Sequence, residues 1–344
     1  MCTIRSIIFF VILSISVFRS VNGKTILCDG KNCDAVFHDF LIKYNITCND
    51  TERAQFRKQF LTNFREVRKF NAEKGNTFTK GINKFSHLPY QSVIDITLGL
   101  VSFVKPVMGT ITTSSVNITC SVSSIDWRTK GAVTPVKDQG NCGSCFAFAA
   151  VAAIESQILI NYKKNISLSE QYAMECIYDF WKIASDSCYG GLPNYVYYLS
   201  YINQGLPTSS SVPYLGYDPG NCYPNVTLVK EAAITSYRTL SGYSESAIAC
   251  MLATNGPMSV AIFVNESLIQ YSSGIYNDVV SCGTNISPNH AVLLVGFGVD
   301  PITNLSYFIL KNSWGTDWGE GGYFRMRKGV NLCNINSLPQ QPYF

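Results

Sequence analysis

Apolar side chains recur every three or four positions through residues 34–74, first as Phe37, Phe40, Leu41 and Tyr44, then as Phe56, Phe60, Phe64 and Val67. This spacing stacks them on one face of a 3.6-residue turn and predicts two amphipathic helices, with Gly75 ending the second. Residues 101–119 are rich in Val, Thr and Ser without helical period and read as an extended linker. A strongly apolar helix is expected over 145–160, a second over 167–176 capped by Ser169, a third over 192–204 with Pro193 in its first turn and Gly205 past its end, and a fourth over 244–254. The period then changes to short β-rich runs at 258–264, 290–297, 306–310 and 323–327, separated by Gly, Asn and Pro. Helices followed by strands predict an α+β architecture, with a helical lobe, a β lobe and a site in the crevice between them.

Residues 7–18 form an apolar run preceded by Arg5 and followed by Val21, Asn22 and Gly23, which reads as a cleavable signal peptide over 1–23 and is too short to span a bilayer. No later long uncharged apolar run is seen, so no membrane span is expected and the chain reads as secreted or lumenal. Thirteen cysteines suit an oxidising compartment. So do N-x-S/T triplets at Asn45, Asn49, Asn117, Asn165, Asn225, Asn265, Asn285 and Asn304, the seventh weakened by Pro288. Residues 24–120 carry 13 Lys and Arg against 8 Asp and Glu, and the chain from Ser121 carries 12 against 15. A basic front half and an acidic back half suit docking on each other rather than on nucleic acid.

The chemistry centres on residues 139–148, QGNCGSCFAF, where a glycine-rich turn delivers Cys145 to the first turn of an apolar helix. A cysteine before an apolar helix is ordinarily a core thiol. At a helix N-terminus beside an imidazolium, however, its pKa can fall from about 8.5 to about 3–4, because the unpaired N–H groups and the cation favour the thiolate. After residue 120 the chain has one histidine, His290, which opens the run HAVLLVGFG. It is the one imidazole available as base and acid to Cys145. That strand turns through 298–304 and returns as SYFILKNSWG, so a hairpin can bring Asn312 back beside His290 to hold its tautomer, with Trp314 and Trp318 as cover. Gln139 is placed to offer an amide N–H to a developing oxyanion.

With these residues in view, the chain resembles papain-like cysteine proteases of the cathepsin L branch, with their inhibitory propeptide. The family's active-site segment appears as QGNCGSCFAF, its histidine segment as NHAVLLVGFG and its asparagine segment as KNSWGTDWGEGGYFR. The resemblance implies Cys145 as nucleophile, His290 as general base and acid, Asn312 as orienter and Gln139 as oxyanion donor. It implies a two-lobed catalytic domain over 121–344, with a helical lobe and a β-barrel-like lobe, preceded by a mostly α-helical propeptide over 24–120. The interspersed propeptide pattern reads Glu52, Phe56, Phe60, Asn63, Val67 and Asn71, with Phe56 where arginine is usual and Val67 for isoleucine. The GxNxFxD motif reads Gly81, Asn83, Phe85 and His87, with histidine in place of aspartate. By family likeness the propeptide runs along the cleft in reverse until acid releases it, and maturation cuts near Cys120 or Ser121. The resemblance also pairs Cys142 with Cys188, Cys176 with Cys222 and Cys282 with Cys333. Cys250 is then expected as an inert core thiol, while Cys28, Cys33, Cys48 and Cys120 can form two bridges of open connectivity.

For substrate, the resemblance implies a glycine wall at Gly190 and Gly191 and a second subsite lined by Leu192, Pro193, Met258, Ala261, Ala291 and Leu338, with Trp314 beside the cleft. No charge falls in that set, so an apolar residue is expected two positions to the amino side of the cut bond (P2). A single histidine cannot build the paired-histidine loop of carboxydipeptidases, which favours an endopeptidase. The loop between Cys176 and Cys188, carrying Tyr178, Phe180 and Trp181, is longer than usual and is expected to pack on the helical lobe. Phe146 stands where tryptophan usually follows the nucleophile. Neither a metal nor another cofactor is expected. Expected partners are protein and peptide substrates, the chain's own propeptide and, by resemblance, cystatin-type inhibitors, acting on a monomer in a lysosome-like compartment or outside the cell. The competing readings are a non-catalytic papain-fold binding protein and a transpeptidase or ligase.

Overall fold

The computed structural model describes residues 33–100, 120–181, 187–223, 225–284 and 286–344. The signal segment, Cys28, the 101–119 linker, the Asn117 and Asn285 triplets and residues 182–186 of the loop before Cys188 lie outside them. Residues up to Cys48 form one compact unit and Asn49–Phe344 a second. The first contains α1 (Cys33–Lys43), whose Phe37, Phe40 and Leu41 are buried as their spacing predicts.

The second unit begins with α2 (Asp50–Ala72). The Asn49 side chain accepts the Glu52 amide while the Glu52 carboxylate accepts the Asn49 amide, a reciprocal cap that satisfies two otherwise orphaned N–H groups. Gly75, at φ +96°, turns the chain after α2 into β1 (Phe78–Lys80). Then comes α3 (Tyr90–Thr97). Neither β1 nor α3 has enough residues for a periodic signal, and sequence reasoning missed both. β1 gains its stability by lying antiparallel along the edge of β5 (Tyr271–Tyr276).

In the helical lobe, α4 (Cys145–Tyr162) is buried nearly all round, as its uniformly apolar sequence requires. Around it pack α5 (Glu170–Trp181) and α6 (Pro193–Asn203). The Ser169 hydroxyl accepts the Tyr172 amide and caps α5, as the sequence pattern implied, with the helix itself beginning at Glu170. Pro193 opens α6 and Gly205, at φ +133°, follows its left-handed cap at Gln204.

The β lobe is built on a nine-stranded sheet. Its strands are β1, β2 (Ile125–Asp126), β3 (Ser236–Thr239), β4 (Met258–Ile262), β5, β6 (His290–Val299), β7 (Ser306–Lys311), β8 (Tyr323–Arg327) and β9 (Gln340–Tyr343). They run β1-β5-β8-β7-β6-β4-β9-β3, with β2 pairing β6. Two helices complete it, α7 (Glu245–Asn255), capped by Ser244, and the single turn α8 (Glu266–Ile269). Every residue of β4 and nearly all of β6 is buried, since helices cover one face and the lobe core the other. The architecture is the expected α+β papain-like one.

Disulfides join Cys142 to Cys188, Cys176 to Cys222 and Cys282 to Cys333. A fourth corrects one expectation: Cys250 is not a free core thiol but is bonded to Cys120, their Cα atoms 5.6 Å apart. Placing it among Ile248, Met251 and Leu252 on an apolar helix gave no hint that the chain before β2 passes beside α7. Cys33 is also disulfide-bonded, whereas Cys48 and Cys145 are the free thiols among the described residues.

Candidate active site

Cys145 sits where α4 begins, immediately after Ser144 at the cap position. The preceding turn is built by close approach. The Gly143 amide donates to the Cys188 carbonyl at 2.9 Å, and a Cβ on Gly143 would stand 2.4 Å from that oxygen, so only glycine fits beside the Cys142–Cys188 bridge. Tyr214, which sequence reasoning missed, fastens this turn by donating to the Gln139 carbonyl at 2.7 Å and sharing a hydrogen bond with Ser144.

Across the groove, β6 starts at His290 and returns as β7, in a register that pairs Leu293 with Lys311. That register delivers Asn312, the next residue, to His290. The His290 Nε2–H donates to Asn312 Oδ1 at 2.8 Å, which leaves Nδ1 as the unprotonated nitrogen of the neutral ring, with no other partner. Asn312 Oδ1 also accepts the Ser313 amide, and the Ser313 hydroxyl donates to Gln139 Oε1 at 2.5 Å. A continuous chain of bonds thus runs from the imidazole to the Gln139 amide. Ser313 was missed from sequence, although its place directly after Asn312 was the available signal. Trp314 lies over the imidazole with centroids 4.9 Å apart, and Trp318 meets Trp314 edge-on.

The groove is occupied by the chain's own residues 97–100. Gln139 Nε2 donates to the Thr97 carbonyl, and the Gly191 amide donates to the Gly99 carbonyl at 2.9 Å. Leu100 bridges Gly191 in parallel sense and packs on Cys145, Ala149 and Ala291. Glycine is required at the crossing, because a Cβ on Gly99 would stand 1.7 Å from the Gly143 carbonyl oxygen. Upstream, Phe85 packs edge-on against Trp314, and the Asn83 side chain donates to the Ile269 carbonyl at 2.7 Å.

This cover changes the electrostatics expected from sequence. Cys145 and His290 are both fully buried. Burial pushes the thiol up to about 11 despite backbone N–H groups of Ala291, Gly99, Phe146 and Cys145 itself, and pushes the imidazole down to about 4 despite its bond to Asn312. In the closed chain the pair is therefore neutral thiol and neutral imidazole. The thiolate and imidazolium read from sequence need the groove opened to water.

Gly190, at φ +121°, and Gly191 form the wall against which Gly99 lies. Leu192 and Pro193 begin α6, and Ala291 is beside the sulfur. Met258 is directed with Val260 and Ile262 into the β-lobe core, so strand alternation turns the intervening Ala261 to the other face. Leu338 is half-buried before β9. Beneath the site lies an ionic cluster that sequence reasoning did not find. Lys137 contacts Glu155 at 2.7 Å and Glu170 at 2.6 Å, and buried Lys311 donates to Thr134. Among the described residues no group of His, Cys, Asp and Glu is placed to hold a metal ion.

Comparison with known proteins agrees with this geometry. Residues 121–343 match the family model "Papain family cysteine protease", and residues 37–91 match "Cathepsin propeptide inhibitor domain". The chain is 37% identical to the viral cathepsin of Cydia pomonella granulosis virus over 95% of each chain. It is 34% identical to a cathepsin L-like proteinase of Fasciola hepatica, over 90% of this chain and 93% of that one. Among solved structures, the digestive procathepsin L2 proteinase of Tenebrio molitor larval midgut superposes with a TM-score of 0.81 at 30% identity, covering 91% of this chain and all of the other. The chain thus belongs to the papain family of cysteine proteases and is the zymogen form, carrying a cathepsin-type inhibitory propeptide domain.

Proposed function

We propose that the mature protein is an endopeptidase in which Cys145 attacks the substrate carbonyl after its proton passes to His290 Nδ1. Asn312 holds the ring in the tautomer that leaves this nitrogen free, and Gln139 Nε2 donates to the oxyanion once Thr97 has vacated it. The imidazolium then protonates the leaving amine, and a water molecule, deprotonated by the same ring, hydrolyses the thioester. The domain organisation that fits is a signal peptide over 1–23, a propeptide over 24–120 and a peptidase domain over 121–344. Four disulfides among the described residues accord with the secretory pathway. Within it we assign a lysosome-like compartment or the extracellular space, where the enzyme works as a monomer open to cystatin-type inhibitors.

The observation that carries the specificity is Leu100, an apolar side chain packed on Ala291 and Cys145 while the backbone beside it pairs with Gly191. A substrate strand running the opposite way would present its P2 side chain to the same apolar wall, and an unpaired guanidinium there would be costly. Comparing fluorogenic dipeptide reporters tests this. Phe-Arg and Leu-Arg reporters should be cut at least tenfold more efficiently than Arg-Arg, and the reverse order overturns the reading.

A further inference from the structure

The Cys120–Cys250 bond lies at the junction where the propeptide meets the peptidase domain. The peptidase family match begins at Ser121, the residue immediately after Cys120. Residues 121–124 are exposed and belong to no helix or strand. Pairing resumes at Ile125, opposite Phe297 of β6, and Trp127 is anchored by donating its amide to Val295 and its indole N–H to Leu252. On the catalytic side of Cys120, the accessible backbone is therefore confined to these few residues. Cys250, by contrast, is held on the buried face of α7.

We propose that maturation produces a two-chain protein, cut on the carboxyl side of Cys120, in which the propeptide end stays bonded to α7 through Cys120–Cys250. This rests on the zymogen reading above. The step is hydrolysis of one peptide bond by water, and the disulfide passes through it unchanged. The continuous chain from Leu100 to Cys120 then keeps residues 97–100 attached to the enzyme they block. A tethered inhibitor faces its site at an effective concentration on the order of millimolar, so dilution does not release it as it would a free peptide. Full activity requires a second event, either a cut between Leu100 and Cys120 or reduction of the bond by an added thiol.

The test acidifies the intact zymogen, alkylates free thiols with iodoacetamide and measures masses under denaturing conditions with and without reductant. The expected result is a non-reduced species that separates on reduction into the catalytic chain, starting between Ser121 and Ile125, and a second peptide containing Cys120. A catalytic chain that starts at Cys120 or upstream of it, or alkylation of Cys120 and Cys250 before reduction, overturns the proposal. A Cys120→Ser, Cys250→Ser double variant provides the functional arm. After the junction is cut, its turnover of the Phe-Arg reporter should rise at least tenfold on hundredfold dilution relative to enzyme concentration, whereas that of the native chain should not. Equal dilution behaviour overturns the tether. Loss of reporter turnover in both forms would instead count against the protease reading, so the two failures are distinguishable.

Discussion

The Gln139 side-chain amide donates to the Thr97 carbonyl at 2.7 Å, so the group positioned to stabilise an oxyanion is already satisfied by the propeptide. Inhibition in this chain is more than steric cover. The same four propeptide residues occupy the Gln139 donor, pair with the Gly191 backbone, seal Cys145 under Leu100 and exclude the water that a charged thiolate and imidazolium would need.

Gly99→Ala should loosen this closure. The added methyl would meet the Gly143 carbonyl at 1.7 Å, and backbone cannot yield as a side-chain tip can. Overpacking of this kind costs about 1–3 kcal/mol, or roughly 5- to 150-fold in the closed-to-open ratio. The variant zymogen should show correspondingly higher turnover of a Phe-Arg reporter at neutral pH before any cut. Turnover equal to that of the parent zymogen would mean the crossing is not tight.

Asn312→Ala removes the acceptor that fixes the His290 tautomer and also breaks the link through Ser313 to Gln139. Loss of such an orienting partner typically lowers activity about 10- to 100-fold. The expected signature in the mature enzyme is a fall in kcat with KM little changed, together with a shifted acid limb of the pH–rate profile. A change confined to KM would show that Asn312 acts on binding instead.

Phe146→Trp tests the position after the nucleophile. The Phe146 ring is fully buried, and a Cβ placed on Gly191 would lie 2.9 Å from it, so the ring supports the glycine wall from beneath. An indole must press on that wall, and the strain should appear as a lower Tm before it appears in chemistry. The catalytic efficiency of the mature enzyme should change less than about tenfold, as expected where the ring packs and does not touch reacting atoms. A larger loss with an unchanged Tm would give the ring a direct catalytic role.

The residues of the proposed catalytic site could be picked out from sequence because each sits in a local pattern. Cys145 opens a long apolar helix, and His290 and Asn312 belong to one hairpin whose strands announce themselves by β-rich composition. Contacts between distant segments carry no such signal. Tyr214, Thr97 and the Cys120–Cys250 bond are set by where unrelated turns pass one another, and β1 exists only because β5 offers it an edge. The closed-chain state of Cys145 depends on such a contact too, since helix position favours a thiolate while burial under a segment forty-five residues upstream pushes the thiol up until the groove opens.

His87 gives the clearest prediction of pH dependence. It occupies the place of the aspartate in the propeptide motif, and Phe56 the place of the usual arginine. The two are in contact, ring edge to face at 4.7 Å. Burial against this apolar neighbour pushes the imidazole down to about 4, partly opposed by a hydrogen bond that the ring donates to the Lys84 backbone carbonyl. The opened propeptide restores the ordinary value near about 6.5. Between these values the open form binds a proton that the closed form does not, so closure is fully stable above about 6.5 and weakens as pH falls toward about 4. His87→Asn removes this proton linkage and should slow activation at about pH 5 by roughly three- to tenfold, a figure reduced for the ring's partial exposure, while leaving the neutral-pH zymogen as well closed as before. The measurement is the rate of reporter turnover appearing after acidification, taken across the pH range. An unchanged pH midpoint would place the acid sensor at a group other than His87; Glu266 works in the opposite sense, since burial and the neighbouring Glu66 charge hold its carboxyl above the usual range and let the closed form take up a proton as pH falls.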